Sequence, residues 1–359
     1  MIKIMDKMTH AKFNLNTFLM VLSTPLDRTI NKNINNISYD SRRVAYSSLR
    51  LASMLGLDNS YVADLFSYAI LYKNKIMQKN ISLFPFENND VTQHLELKAI
   101  LDLAVEIENN IKIEDNIIVN KREIIAFIKS DNALEENLKS TFLLLSEDIS
   151  YWLDLTSESQ LPFYIFRYLQ DFTKEIEYDV LIKMSEVFSK LASEYSSNSY
   201  NPLIVEKLTQ MCELYSMDNK DKSRMIISFY LASIGKLFIS EELFVKMDTL
   251  EEYEEDLFKS IPYFTNSILQ QIDGFDDINK LSATCYEQLD GNGYPYKLRA
   301  NNLSLKNRLL SIVIIYKALV EKKRYRDAFS HDEAIVLLNE YANVGKLDQT
   351  IINDFAKIF

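Results

Sequence analysis

The sequence predicts an all-α protein built from two consecutive helical domains. Three observations carry that expectation. Only six glycines and six prolines occur in 359 residues, too few for the turns that an all-β fold needs. Apolar residues recur at helical spacing through most of the chain. A helix pair in the first half returns in the second. The length suits two domains of roughly 150–200 residues, and a content of 47% hydrophobic and 12% aromatic residues supplies both cores.

Within Ser41–Leu57, residues Val44, Ala45, Leu49, Ala52 and Leu55 share one helical face. Gly56 follows, where a helix C-terminus favours glycine. Asp58 then caps a second helix through Val62, Leu65, Phe66 and Ala69. In the second half, Val205, Leu208 and Met211 form a similar face, followed by Asp218-Asn219 and a helix through Met225, Ile226, Phe229 and Leu231. Asp58 and Asp218 are 160 residues apart, as are Leu71 and Leu231. Leu134 to Phe142 is echoed by Leu347 to Phe355 at an offset of 213. The halves thus read as an internal duplication, with about fifty extra residues in the second.

The domain boundary is expected near Trp152–Leu155, where the polar stretch Thr156–Gln160 and then Pro162 interrupt the helical pattern. This gives domains of 1–156 and 157–359, with the lone Trp152 as an interdomain packing residue. The net charge of −11 disfavours DNA or RNA as a partner. Cys212 and Cys285 form neither a disulfide framework nor a zinc-type cluster, which suggests a reducing compartment. The first thirty residues lack the apolar core of a signal peptide. The longest apolar stretch, Leu309–Val320, has the length of a buried core helix and not of a membrane span. A cytoplasmic protein is expected, with no membrane association.

The densest glycine cluster is Asp290-Gly291-Asn292-Gly293-Tyr294-Pro295, a tight turn by composition. With its flank, Cys285-Tyr-Glu-Gln-Leu-Asp-Gly-Asn-Gly-Tyr-Pro295 resembles the His-His-Glu-x-x-Asp-Gly-x-Gly-Tyr-Pro signature of the HD-GYP family of cyclic-dinucleotide phosphodiesterases. Leu231-Ala-Ser-Ile-Gly-Lys-Leu237 resembles that family's Leu-His-Asp-Ile-Gly-Lys-Leu, and Ile261-Pro-Tyr-Phe-Thr265 its His-Pro-x-x-(Ser/Thr) helix. Leu310–Leu319 resembles Leu-Ala-Val-Ala-Asp-Val-Tyr-x-Ala-Leu, and Lys323-Arg-Tyr-Arg-Asp-Ala328 resembles Arg-Pro-Tyr-Arg-x-Ala. The order agrees across Asn201 to Phe355. Asp40-Ser-Arg-Arg-Val-Ala45 resembles the opening of the shorter HD domain that precedes HD-GYP in tandem members, with Tyr72-Lys73 where its His-Asp pair would stand. The resemblance therefore implies two tandem HD-type helical bundles, the second HD-GYP-like.

It also implies chemistry. HD hydrolases use two or three metal ions to bind phosphate and activate water, held by imidazoles and carboxylates. Carried across, those positions read Ser197, Asn201, Ala232-Ser233, Ile261, Cys285-Tyr286 and Ile314. No metal, cofactor or catalytic residue is expected from such a set. His10, His94 and His331 fall in no motif and read as surface residues. The positions that contact the dinucleotide in the family read Lys236, Tyr294, Lys323 and Arg326, which suit phosphates and a stacked base.

The expectation is a catalytically inactive HD-GYP-like regulatory protein. It would act as a protein-interaction module through the loop Gly291, Gly293, Tyr294 and Pro295, with a GGDEF-type domain or another signalling protein as partner; a homodimer is compatible with it. The first alternative is a non-catalytic cyclic-di-GMP receptor using Lys236, Tyr294, Lys323 and Arg326. The second is a residual phosphodiesterase whose best feature is Cys285 near Glu287 and Asp290. An open cavity would favour the receptor, and a cavity filled by Ile261, Ile314 and Tyr286 the interaction module.

Overall fold

The computed structural model describes residues 9–30, 40–88, 95–112, 116–157, 159–198, 200–323 and 326–358. His94, Arg324 and Tyr325 lie outside them. The all-α expectation holds: among the described residues the regular structure is helical apart from two short strands, β1 (His10–Phe13) and β2 (Lys174–Glu177), which pair with each other. No helix among these residues is long and apolar enough to cross a membrane.

The chain divides into two compact units, residues 14–174 and residues 1–13 with 175–359. The expected boundary at 156/157 thus falls inside the first unit. The reason is local. The interruption at Thr156–Gln160 is a turn between two packed helices, and Pro162 sits in the first turn of the second of them, where its missing N–H costs nothing.

The first unit contains α1 (Leu15–Ile30), α2 (Asp40–Met54), α3 (Asn59–Leu71), α4 (Lys75–Lys79), α5 (Leu95–Asn109), α6 (Ile117–Ser130), α7 (Glu136–Glu147), α8 (Ile149–Thr156) and α9 (Leu161–Phe166). Helix α2 is central and packs against α1, α3, α5, α7 and α9. Its apolar face is the one the sequence marks, with Val44, Ala45, Leu49 and Ala52 fully buried. A buried ion pair crosses this core: Arg43 Nε donates to both Glu108 oxygens at 3.0 and 2.8 Å, and Nη2 donates to Oε1 at 2.6 Å. That geometry satisfies charges which would be costly if unpaired. Trp152 is not an interdomain residue. It is fully buried within this unit, edge-on to Tyr151 and Phe142, with its indole N–H on the Ser146 carbonyl at 3.0 Å.

The second unit contains β1 and most of β2, then α10 (Tyr178–Tyr195), α11 (Leu203–Leu214), α12 (Asn219–Leu231), a 3-10 turn (Ile234–Phe238), α13 (Glu241–Val245), α14 (Glu252–Lys259), α15 (Ile261–Leu269), α16 (Asp276–Ala283), α17 (Leu305–Val320), α18 (His331–Asn343) and α19 (Gln349–Phe355). Phe13 stacks on Phe275, which ties the N-terminal strand into this unit. Helix α17 is the predicted buried helix. It packs against α11, α12, α16, α18 and α19, with Leu309, Leu310, Ile312 and Val313 fully buried.

The duplication shows in backbone geometry. Helices α3 and α12 begin and end 160 residues apart. Before α3, Gly56 is left-handed at φ 73° and the Leu57 N–H closes onto the Ala52 carbonyl at 3.1 Å. At the same offset, Ser216 is left-handed at φ 53° and the Met217 N–H closes onto Cys212 at 2.9 Å. Both are the helix-ending closure in which an N–H reaches back five residues. Helices α7 and α19 start 213 residues apart, and Phe142 and Phe355 are both fully buried.

Candidate functional site: a lysine-lined cavity in the second unit

A cavity of about 690 Å³ opens within the second unit. Its walls come from elements that the sequence separates widely. Ser196 and Asn198 follow α10, Ser233 and Lys236 sit at the 3-10 turn after α12, and Ile261 begins α15. Tyr286 and Tyr294 come from the loop after α16, and Ile314, Lys317 and Glu321 from the last turns of α17 and its end. Phe244, Met247 and Phe258 form an apolar side.

Gly235 explains how the 3-10 turn reaches its place. A side chain there would collide with the Ile261 carbonyl oxygen and with Thr265. The Gly235 N–H donates to Thr265 Oγ1 at 3.2 Å, and Thr265 Oγ1 donates to the Ala232 carbonyl at 3.3 Å. The turn therefore rests directly on the start of α15 and delivers Lys236 into the cavity.

The loop carrying Tyr294 is held from beneath by Glu287, which is 1% exposed. Its carboxylate accepts the N–H groups of Tyr296 at 2.7 Å and Leu298 at 2.9 Å. Gly291 takes φ 82° and is covered by the Arg299 side chain, while Gly293 is buried with no room for a Cβ against Glu287 and Gln288. The Tyr294–Pro295 peptide is cis. The Tyr294 ring turns inward and stacks on Tyr286, 5.3 Å between centroids and 10° from parallel. Of the loop residues expected to face a partner, Gly293 is thus packed inside and Tyr294 lines the cavity; the exposed ring is that of Tyr296.

Charge in the cavity is concentrated. Lys323 Nζ donates to Asn198 Oδ1 and to Glu321 Oε2, each at 2.8 Å. Lys317 Nζ lies 3.8 Å from Glu321 Oε1 and 5.2 Å from the centre of the Phe229 ring. Lys236 Nζ donates to Ser196 Oγ at 3.4 Å. Burial, and then the neighbouring Lys317 ammonium, push Lys236 down to about 7; Glu321 opposes this and Lys323 adds to it. Burial also lowers Lys317, again against Glu321. Burial raises the phenols of Tyr286 and Tyr294 far above their ordinary value. Both rings are therefore neutral, hydrogen-bonding surfaces at any ordinary pH.

Three of the four ligand-binding residues expected from the sequence, Lys236, Tyr294 and Lys323, line this cavity. Arg326 does not. Its Nη1 donates to the Leu319 and Asp327 carbonyls, both at 2.9 Å, and its Nη2 to Ala318 at 2.6 Å. The guanidinium caps the end of α17, where unpaired carbonyls and the helix dipole favour a cation. Lys317 and Glu321 were missed. Their signal was a lone lysine in the apolar run Leu309–Val320, with a carboxylate four residues on. The Cys285, Glu287 and Asp290 set does not form a site. Cys285 is fully buried on the Ser282 carbonyl, and burial pushes its thiol up to about 12. Glu287 is engaged by backbone, and Asp290 accepts from Asn292. His331 begins α18 and contacts Tyr316 edge-on.

Of the eight positions at which the resemblance would place metal ligands, four line the cavity: Ser233, Ile261, Tyr286 and Ile314. Their chemistry does not fit a metal centre: two branched hydrocarbons, a hydroxyl and a neutral phenol replace imidazoles and carboxylates. Asn201 is used locally, its Oδ1 accepting the Leu203 N–H at 3.0 Å. No group of three or more His, Cys, Asp or Glu placed to hold a metal occurs among the described residues.

Residues 176–351 match the HD domain family. Among curated proteins, 3'3'-cGAMP-specific phosphodiesterase 1 of Vibrio cholerae is 25% identical over 152 residues, covering 41% of this chain and 35% of that protein. 3'3'-cGAMP-specific phosphodiesterase 3 of the same organism is 30% identical over 110 residues, covering 31% and 24%. Cyclic di-GMP phosphodiesterase PdeB of Borreliella burgdorferi is 29% identical over 122 residues, covering 34% and 32%. The matched segments thus span between a quarter and about a third of these relatives. A solved cyclic GMP-AMP phosphodiesterase of V. cholerae (V-cGAP3) shares the fold at a TM-score of 0.54 and 14% identity, covering 97% of this chain and 98% of that one. These matches correct the expectation of a catalytically inactive protein-interaction module, and with it the expectation of a non-enzyme. The relatives are named as phosphodiesterases, so the comparisons point to a family of enzymes. The HD domain match in the second unit, together with relatives named as cyclic di-GMP and cGAMP phosphodiesterases, supports the resemblance to the HD-GYP family.

Proposed function

We propose that the cavity of the second unit binds a 3'3'-linked cyclic dinucleotide, in the cytoplasm where such signalling nucleotides act. The observation that carries this reading is the meeting of Lys236, Lys317 and Lys323 with a stacked tyrosine pair on one cavity. Ammonium groups neutralise phosphodiesters, and an aromatic face accepts a base. The volume of about 690 Å³ suits a ligand of this size. The relatives, named as cGAMP and cyclic di-GMP phosphodiesterases, supply the ligand class. In this reading the first unit is a second HD-type bundle, on the strength of the α2–α3 pair and its repeated closure.

Calorimetric titration of the purified chain with cyclic di-GMP and with 3'3'-cGAMP tests this. Micromolar binding of either, weakened at least tenfold in Lys236→Ala and in Tyr294→Ala, is expected. The absence of binding at millimolar ligand would refute it. Chromatography of the same samples for linear dinucleotide reports whether the bound ligand is cleaved.

A further inference from the structure

We infer that this cavity meets the phosphodiester charge with ammonium groups instead of metal ions, and that Lys317 is a phosphate-binding residue of the site. The inference rests on the cyclic-dinucleotide reading and deepens it.

Two independent observations lead here. The first is substitution in place. Ser233, Ile261, Tyr286 and Ile314 face the cavity from the positions where the fold would hold metal, and none offers a ligand suited to a dinuclear centre. The second is what enters the same space. Lys317 lies one helical turn beyond Ile314 on α17, with its side chain 8% exposed, and lines the cavity together with Lys236 and Lys323. A buried lysine among other lysines is costly unless an anion joins it. Glu321 is the internal anion, 3.8 Å from Lys317 and 2.8 Å from Lys323, and its Oε1 accepts no hydrogen bond.

The charge count agrees. With all three lysines protonated, one carboxylate leaves two positive charges, which the two phosphodiesters of a cyclic dinucleotide balance. Lys246 also lines the cavity, but its charge is offset by Glu254 at 2.6 Å. Asp248 and Glu255 also border the cavity but are solvent-exposed, where water screens their charge. Lysine acts here as a point charge with three rotatable donors, so it neutralises phosphate without demanding the fixed geometry of a metal shell.

The test is equilibrium binding of 3'3'-cGAMP and cyclic di-GMP to the intact chain, in EDTA and in manganese. Wild type is expected to bind within twofold in the two conditions. Lys317→Met, checked for folding by a thermal melt, is expected to bind at least tenfold more weakly, and Lys317→Arg within a few-fold of wild type. Lys323→Met serves as a second variant should Lys317→Met fail to fold, with the same weakening expected. Binding that requires manganese, or that survives Lys317→Met unchanged, overturns the inference while the dinucleotide reading stands. If neither dinucleotide binds in either condition, that reading fails, and inorganic tripolyphosphate becomes the probe. Saturable tripolyphosphate binding in EDTA that is lost in Lys317→Met keeps the metal-free phosphate site; its absence overturns that as well.

Discussion

Lys317 and Glu321 stand one helical turn apart at the end of α17, the ammonium 3.8 Å from the carboxylate, with 8% and 3% of the two side chains exposed. Glu321 also holds Lys323 at 2.8 Å. One buried carboxylate therefore balances two lysines in a cavity that a third lysine enters.

Removing that carboxylate should unbalance the cavity. Glu321→Gln leaves Lys317 and Lys323 without their anion, a change of the kind that costs about 3 kcal/mol when a buried pair is broken. Denaturant unfolding should show the loss. Added tripolyphosphate or cyclic dinucleotide should recover more stability in the variant than in wild type, because the ligand then supplies the missing negative charge.

Binding should weaken as pH rises. Lys236 stands at about 7 in the free protein, set by burial and by Lys317, Glu321 and Lys323 around it. A bound phosphodiester favours the charged form and raises that value. Below pH 7 the ammonium is already present. Above it a proton must be taken up with the ligand, so affinity falls by roughly tenfold per pH unit until the bound-state value is reached. Titrations at pH 6, 7, 8 and 9 should show this slope, and Lys236→Met should flatten it; a flat wild-type profile would contradict the assignment.

The Tyr294 loop should depend on one buried carboxylate. Glu287→Gln keeps the size but offers a single acceptor oxygen, so one of the Tyr296 and Leu298 amides keeps a weaker, neutral bond and the other faces an NH2 donor. A stability loss of about 1–2 kcal/mol and faster hydrogen exchange at those two amides are expected, with the first unit unaffected.

Gly235→Ala should displace the 3-10 turn. The new methyl group meets the Ile261 carbonyl and Thr265, neither of which can retreat without moving α15. Overpacking of this kind costs about 1–3 kcal/mol, visible as a lower denaturant midpoint, and Lys236 should lose its place in the cavity.

Much of this was legible in the sequence. The 160-residue offset aligned α2–α3 in sequence with α11–α12, because a left-handed helix end followed by an Asp at the N-cap position leaves a fixed trace. The resemblance to the HD-GYP motifs singled out Ser233, Ile261, Tyr286 and Ile314, and all four line one cavity. What failed did so for physical reasons. Pro162 and the polar stretch before it look the same in a linker and at the start of a packed helix. Trp152 could not be assigned to a core before α7 and α8 were in place. Arg326 suits a phosphate and equally suits the carbonyls of a helix end, and the latter were nearer. Lys317 was hidden because an isolated lysine in an apolar helix announces burial but not what lies opposite.

The central claim is that a cyclic dinucleotide occupies the lysine-lined cavity, and a crystal structure of the chain with 3'3'-cGAMP tests it most directly. The expected result is a phosphodiester within hydrogen-bonding distance of Lys317 and Lys236, with a base against Tyr294. Ligand density elsewhere, or an empty cavity at saturating ligand, would contradict it.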